Sequence, residues 1–307
     1  MQRTVLRAAA DSERLGFARS HAIEKPPNLL IGYDFIMNPI YENRYCLFLD
    51  ILGFQSLVDG SANFRKGDPD TKSLRSIISA LQKIREGVHY RDAVEVSGKV
   101  KLTSRKVSQF SDSVIVSYSR DEPYSGGITS IIMDVHRLQL EMTSRGILLR
   151  GAITVGSLYH DDYFVLGPAL NEAVTLEKLA AYPRVILDAE ILDEAGLKKG
   201  EAPDRERTIS SMVAEDFDGT FFIDYFNVLP DDFFDEWYEV YDYLSRLRSV
   251  VKQLSYKKDS SIKMKHSWMR AKFNAMAEKL VNRKYQSIGA YMIPEEDQDL
   301  FKEIKRF

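Results

Sequence analysis

Apolar and polar positions change period several times along the chain, and each change marks an element. Cys46 to Ile51 (CLFLDI) is a short apolar run broken by one aspartate and ended by Gly53, the pattern of a buried strand. Leu74, Ile77, Ile78, Leu81 and Ile84 recur at helical spacing and predict a helix over 71–87. Val107 to Tyr118 (VSQFSDSVIVSY) alternates on both sides of Ser111-Asp112, which predicts a hairpin with the aspartate at or near its tip. Ile128, Ile131, Ile132, Val135, Leu138 and Met142 mark a second helix, and Gly146 stops it as a left-handed cap would. Leu148 to Leu158 is strand-like, and His160-Asp161-Asp162 reads as a polar turn. Gly167-Pro168 precedes a helix over 169–181 that Pro183 closes; Val185 to Leu187 is a short buried strand, followed by a brief helix to about Leu197. Strands and helices interleaved in this order predict an α+β fold, an α/β sandwich with a mixed central sheet.

From about Gly200 the character changes. Residues 201–243 hold thirteen acids and two bases, whereas 251–307 hold thirteen bases and seven acids. Thr220 to Phe226 reads as one more strand, a candidate sheet edge. Residues 231–256 and 260–285 read as two long helices, the first aromatic and acidic, the second basic, forming a helical hairpin laid on the core or on a partner chain. The chain thus divides into an N-terminal arm (1–42), a core domain (43–200) and a C-terminal extension of a strand and a helical hairpin (201–307).

Composition narrows the classes. The 307 residues are 44% hydrophobic and 28% charged, with net charge −3, which favours neither nucleic acid nor an acidic membrane surface as partner. No run of eighteen apolar residues offers a spanning helix. The first twenty residues carry four arginines but no apolar signal core. A single cysteine, Cys46, excludes an internal disulfide, so the cytoplasm is the expected location.

Chemistry concentrates in a few residues. Asp50 closes a buried strand, where a charge is costly unless something pairs with it. Asp112 sits in a turn between two apolar strands. Carboxylates on neighbouring strand ends share hard divalent cations, and two-metal sites stabilise both oxygens of an in-line displacement at phosphorus. Gly53 permits close backbone approach to a phosphate at the start of a helix. The bland alternatives are a helix cap at Asp50 and an ordinary turn residue at Asp112.

Phe48-Leu49-Asp50-Ile51-Leu52-Gly53-Phe54 resembles the first metal motif of class III nucleotidyl cyclases, and Phe110-Ser111-Asp112-Ser113-Val114 resembles their second, with Ser111 where glycine is usual. Arg150 to Gly156 is similar to their next core strand. Val165 to Ala173 is similar to the stretch that ends in their transition-state asparagine, here Asn171. The resemblance covers about 45–190 and implies a cyclase homology domain at 43–200. It also implies that Asp50, Asp112 and the Ile51 carbonyl bind two divalent cations (Mn²⁺ or Mg²⁺). Leu52, Gly53 and Phe54 would hold phosphate through the backbone, and Asn171 would position the ribose. Active sites of such enzymes lie between the subunits of a homodimer.

The departures are as informative. Where the family places an arginine, four residues after the asparagine, this chain has Thr175; Lys178, Arg184, Lys263 and Lys265 are the bases available to replace it. The two positions that read a purine are Ser108 and Phe164 here, a small hydroxyl and an aromatic that suit a smaller base, with Phe164 stacking on it. Tyr45, on the strand of Asp50, is a further candidate for the base pocket. This pattern resembles the pyrimidine cyclases of bacterial Pycsar anti-phage systems, which implies UTP or CTP as substrate, uridylate ahead of cytidylate, and a separate cyclic-nucleotide effector protein. The rivals are an adenylate cyclase, a degenerate cyclase-like regulatory module, and a palm-type polymerase.

Overall fold

The computed structural model describes residues 39–62, 71–89, 93–96, 99–122, 126–200, 208–233, 236–281 and 293–307. The arm expected over 1–42 lies outside them up to residue 38. The strands are β1 (Glu42–Ile51), β2 (Ala93–Val96), β3 (Lys99–Leu102), β4 (Lys106–Phe110), β5 (Ser113–Ser119), β6 (Leu149–His160), β7 (Val165–Leu166), β8 (Val185–Leu187), β9 (Val213–Glu215) and β10 (Phe221–Ile223). The helices are α1 (Phe54–Ser61), α2 (Thr71–His89), α3 (Gly127–Ser144), α4 (Pro168–Leu179), α5 (Ala189–Ala195), α6 (Thr208–Ser211), α7 (Trp237–Ser255), α8 (Ser260–Val281) and α9 (Gln298–Phe301). The fold is α+β. Its main sheet runs β4-β5-β1-β6-β8-β10-β9, with β7 paired to β6, while β2 and β3 form a separate hairpin. β8 pairs parallel to β6 after the crossover through α4, and the neighbouring pairs are antiparallel, so the sheet is mixed as expected.

β1 lies between β5 and β6, and its side chains alternate between two faces. Tyr45, Leu47, Leu49 and Ile51 enter a core shared with Ile131, Ile132 and Val135 of α3. Cys46 and Phe48 face the other way, against Ala169 and Ala173 of α4. Gly151 sits opposite Leu49, and a Cβ there would lie 2.4 Å from the Phe48 carbonyl oxygen, so only glycine lets β1 and β6 pair this closely. Burial pushes the Cys46 thiol up to about 12, which leaves it inert, as expected.

Two expectations for the C-terminal third are corrected. The strand at Thr220 to Phe226 is not an edge: β10 lies between β8 and β9, and the three-residue β9, too short and polar to stand out in sequence, takes the edge. The first long helix begins at Trp237 rather than 231, because Pro230–Asp232 forms a separate 3-10 turn in which the Asp232 carboxylate accepts the Leu229 N–H at 2.7 Å. Tyr41 to Phe307 form one compact unit.

The helical hairpin lies on the chain's own core. Trp268, Met269, Phe273 and Met276 of α8 join Tyr243, Leu244 and Leu247 of α7 and Phe222 of β10 in a second apolar cluster. Its polar centre is Asp216, which follows β9 and is wholly buried. The carboxylate accepts from Arg184, from the Trp268 indole at 2.7 Å, and from the Lys272 ammonium at 2.8 Å. Arg184 is held in turn by Asp218 at 2.7 Å. Asp216→Ala takes from a guanidinium that is 1% exposed one of its two carboxylates and leaves the buried Trp268 indole N–H without its acceptor, and we expect a loss of about 3 kcal/mol. The denaturant midpoint measures it, and a variant as stable as the parent would refute the role of this centre.

Candidate active site

The register of β1 assembles the site. Asp50 lies opposite Ser113 on β5 and opposite Arg150 on β6. The β4–β5 hairpin turns at Ser111-Asp112 as expected, since Phe110 pairs directly with Ser113. Ser111 adopts φ 55, the positive value that a two-residue hairpin loop asks of its first residue and that glycine usually supplies. This turn brings the Asp112 carboxyl within hydrogen-bonding reach of Asp50.

Arg150 is the counter-charge. Its Nη2 lies 3.7 Å from Asp50 Oδ2, and its Nε donates to Glu177, a buried carboxylate on α4. Burial, then the charges of Asp112 and Glu177, push the Asp50 carboxyl up to about 6 against the pull of Arg150. Two adjacent carboxyls in a half-buried place, with one shared guanidinium, leave negative charge that a hard divalent cation would relieve. The donor set therefore fits such an ion. Among the described residues no group of three or more ligand side chains is gathered, so backbone oxygens, water or substrate phosphate must complete any coordination.

Beyond Asp50 the chain turns at Leu52-Gly53 into α1. Gly53 has φ 76 and caps the helix, whose first amides have no partner within the helix itself. Ile51 buries its side chain in the α3 core. The Leu52 amide departs from expectation: it donates to the Leu148 carbonyl at 2.9 Å and is spent within the fold.

Tyr45 is a correction. Strand alternation turns it to the face opposite Asp50, where it is 4% exposed and donates to Glu194 at 2.5 Å, so it serves the core and not a base pocket. Asn171 is not brought to the carboxylates of its own chain; on α4, Ala169, Ala173 and Glu177 face inward while Asn171 and Thr175 are exposed. The Thr175 hydroxyl donates to the Asn171 carbonyl at 2.9 Å. Of the bases considered as replacements for an arginine there, Arg184 is consumed by Asp216, and Lys178 and Lys263 are exposed. Lys265 on α8 is half-buried and close enough to feel both Arg150 and Asp50; burial and then the Arg150 charge lower its ammonium pKa.

Ser108 and Phe164 come to one region. Ser108 shares the Asp50 face of the sheet, two strands over, while the turn carrying Phe164 is tied to β4 by a Lys106–Asp162 ion pair at 2.8 Å. Phe164 is 58% exposed. His160 is the residue that pattern reading misplaced. It ends β6, pairs with Val165 of β7, and packs inward between Ser108 and Ser117. Arg150 and Glu177 were also missed as site residues. The signal for Glu177 was present, since Ala169, Ala173 and Glu177 follow at intervals of four and put a carboxylate on a buried helix face.

Among solved structures, the chain is similar to the adenylyl cyclase CyaB from P. aeruginosa (TM-score 0.39, 12% identity, 60% of this chain and 92% of that one). It is similar to the guanylyl cyclase Cya2 (TM-score 0.39, 11% identity, 61% and 93%). A third likeness is to the monomeric guanylyl cyclase domain of the RhoGC fusion protein from the aquatic fungus Blastocladiella emersonii (TM-score 0.38, 11% identity, 60% and 95%). These values describe a loose likeness of chain path and assign no activity. No protein-family model and no curated protein matches the chain. Among the described residues no helix is long and apolar enough to cross a membrane.

The environment of His160 yields a pH prediction. Burial, then the charges of Arg44 and Lys106, hold its ring down from the ordinary 6.5 to about 4. The unfolded chain therefore binds this proton more tightly, and stability falls as pH drops from about 6.5 towards 4. The contribution is at most ~3 kcal/mol. Denaturant midpoints measured across that range should flatten in His160→Gln; an unchanged slope would show that His160 is not the group responsible.

Proposed function

We propose that this chain is a nucleotidyl cyclase that converts a pyrimidine nucleoside triphosphate, UTP ahead of CTP, into the 3′,5′-cyclic monophosphate and diphosphate. The observation that carries the reading is the Asp50–Asp112 carboxylate pair, held by strand register beside the glycine-capped start of α1. The four motifs in cyclase order support it.

Asp50, Asp112 and the Ile51 carbonyl would hold two divalent cations, which when bound neutralise the triphosphate and lower the pKa of the 3′-hydroxyl. The chain's own groups do the rest. The amides at Gly53 and Phe54 would receive phosphate oxygens at the positive end of α1. Arg150, braced by Glu177, keeps the Asp50 carboxylate oriented. Lys265 supplies positive charge where Thr175 supplies none. The 3′-oxygen attacks the α-phosphorus of the same molecule, its bond forms as the bond to diphosphate breaks, and the hydroxyl proton leaves to solvent. Reaction within one bound molecule spares the entropy of bringing two reactants together.

Asn171 and Thr175 are exposed on α4, Phe110 is exposed on the same side of the sheet as Asp50, and Phe164 is exposed in the turn before β7. A two-fold homodimer that covers these rings and presents Asn171 of one subunit to Asp50 of the other would complete two equivalent sites. The cyclic product would act as a second messenger for a separate effector in antiviral defence. The second reading, a non-catalytic nucleotide-binding module, rests on Thr175, which hydrogen-bonds its own helix and offers no charge to a transition state.

Incubation of the purified protein with ATP, GTP, CTP and UTP separately, with Mn²⁺ and mass identification of products, decides between these readings. Cyclic UMP or cyclic CMP is expected, with turnover lower by on the order of 10³-fold or more in Asp50→Asn and Asp112→Asn. Product undiminished in both variants would refute the metal pair. Cyclic AMP or GMP would remove the pyrimidine assignment, and no product from any nucleotide would favour the binding module.

A further inference from the structure

The heavy atoms around His160 fix a direction of hydrogen bonding that reaches the surface at Ser108. Arg44 can only donate, and its Nε gives a hydrogen bond to Ser117 Oγ at 2.9 Å, with both residues buried. Ser117 Oγ lies 2.8 Å from His160 Nδ1, and His160 Nε2 lies 3.0 Å from Ser108 Oγ. Among the described residues Ser117 has no other acceptor for its hydroxyl proton, so that proton goes to Nδ1. Nδ1 is therefore the unprotonated nitrogen of a neutral ring, and Nε2 carries the hydrogen. Burial together with the charges of Arg44 and Lys106 keeps the ring neutral. Nε2 then donates to Ser108 Oγ. The Ser108 hydroxyl proton cannot turn back into the chain, because the nitrogen it faces has no lone pair to offer. Ser108 is partly exposed, on the sheet face that carries Asp50.

We infer that His160 is a positioning residue that frees the Ser108 hydroxyl proton for donation to the nucleobase, aimed at an acceptor on the edge of a pyrimidine: a keto oxygen of uracil or the ring nitrogen of cytosine. This inference rests on the cyclase reading for its ligand but not for its proton order. A relay with the opposite sense, begun by a carboxylate instead of Arg44, would make the same serine an acceptor. The fixed donor at the start of the chain thus sets what the far end can read. The polarity also explains why a histidine, and not an apolar residue, ends β6 at a buried position.

The first test needs neither substrate nor variant. Nitrogen-15 correlation spectra of the ring should show His160 as the neutral tautomer with hydrogen on Nε2 and Nδ1 bare at neutral pH; hydrogen on Nδ1, or a charged ring, overturns the inference. The second test uses turnover of UTP and of CTP, which separates the two acceptors. Ser108→Ala should raise KM roughly 3–10-fold, the worth of one neutral hydrogen bond, for the nucleotide the enzyme uses, with kcat within about 2-fold. His160→Met should raise KM similarly, His160→Gln, which keeps a donor at the Nε2 position, should recover most of it, and His160→Met added to Ser108→Ala should raise it no further. An unchanged KM in Ser108→Ala, or additive effects in the double variant, overturns the inference. Absence of turnover in the unaltered protein would count against the cyclase reading alone, since the tautomer is read without it.

Discussion

Everything at the candidate site depends on one antiparallel register. β1 is paired on both sides, so the sequence position of each residue decides which face of the sheet it occupies. That constraint puts Asp50 on the face opposite the α3 core, directly between the hairpin that carries Asp112 and the strand that carries Arg150. Ionisation so close to a second carboxylate is costly in a half-buried place. The fold meets the cost with Arg150, itself pinned by Glu177 of α4. The arrangement is therefore electrostatically unfinished by design of the backbone, and this residual negative charge is what suits the place to cations.

Much of this was legible in the sequence, for a physical reason. An aspartate inside CLFLDI and another at the centre of an alternating hairpin are local signals, and the hairpin's length fixes its tip. The pairing of the two carboxylates then follows once β1 and β5 are neighbours. What stayed hidden depends on contacts distant in sequence. Tyr45 looked like a site residue because it shares a strand with Asp50, yet an odd separation along a strand means opposite faces. His160 looked like a turn residue because polar residues follow it. Only the pairing of His160 with Val165 extends β6 through it, and the contacts of its ring with Ser117 and Ser108 join residues far apart in sequence. Leu52 could not be foreseen as a spent amide, since its acceptor at Leu148 lies far along the chain.

The acidic and basic halves of the C-terminal third, read as a possible interface signal, find part of their meaning inside the chain. Asp216 meets Lys272, and the indole of Trp268 stacks on Tyr182 with ring centroids 5.4 Å apart, just before the short strand β8. Charge asymmetry along a sequence does not say whether complementary segments meet within one chain or across two. Here burial decides, because the carboxylate at the centre is wholly enclosed.

Asp216 also bears on how such a chain can change over evolutionary time. Its partners come from the approach to β8 and from α8, which are far apart in sequence but share a single carboxylate. Segments joined only through apolar contact can be exchanged between proteins or lost piecemeal, since a substitute surface of similar shape restores most of the contact. A shared buried charge gives no such latitude: any rearrangement that removes one contributor leaves the others with an unbalanced ion in the interior. The helical hairpin is therefore bound to the inheritance of the sheet beneath it, and the two must diverge together.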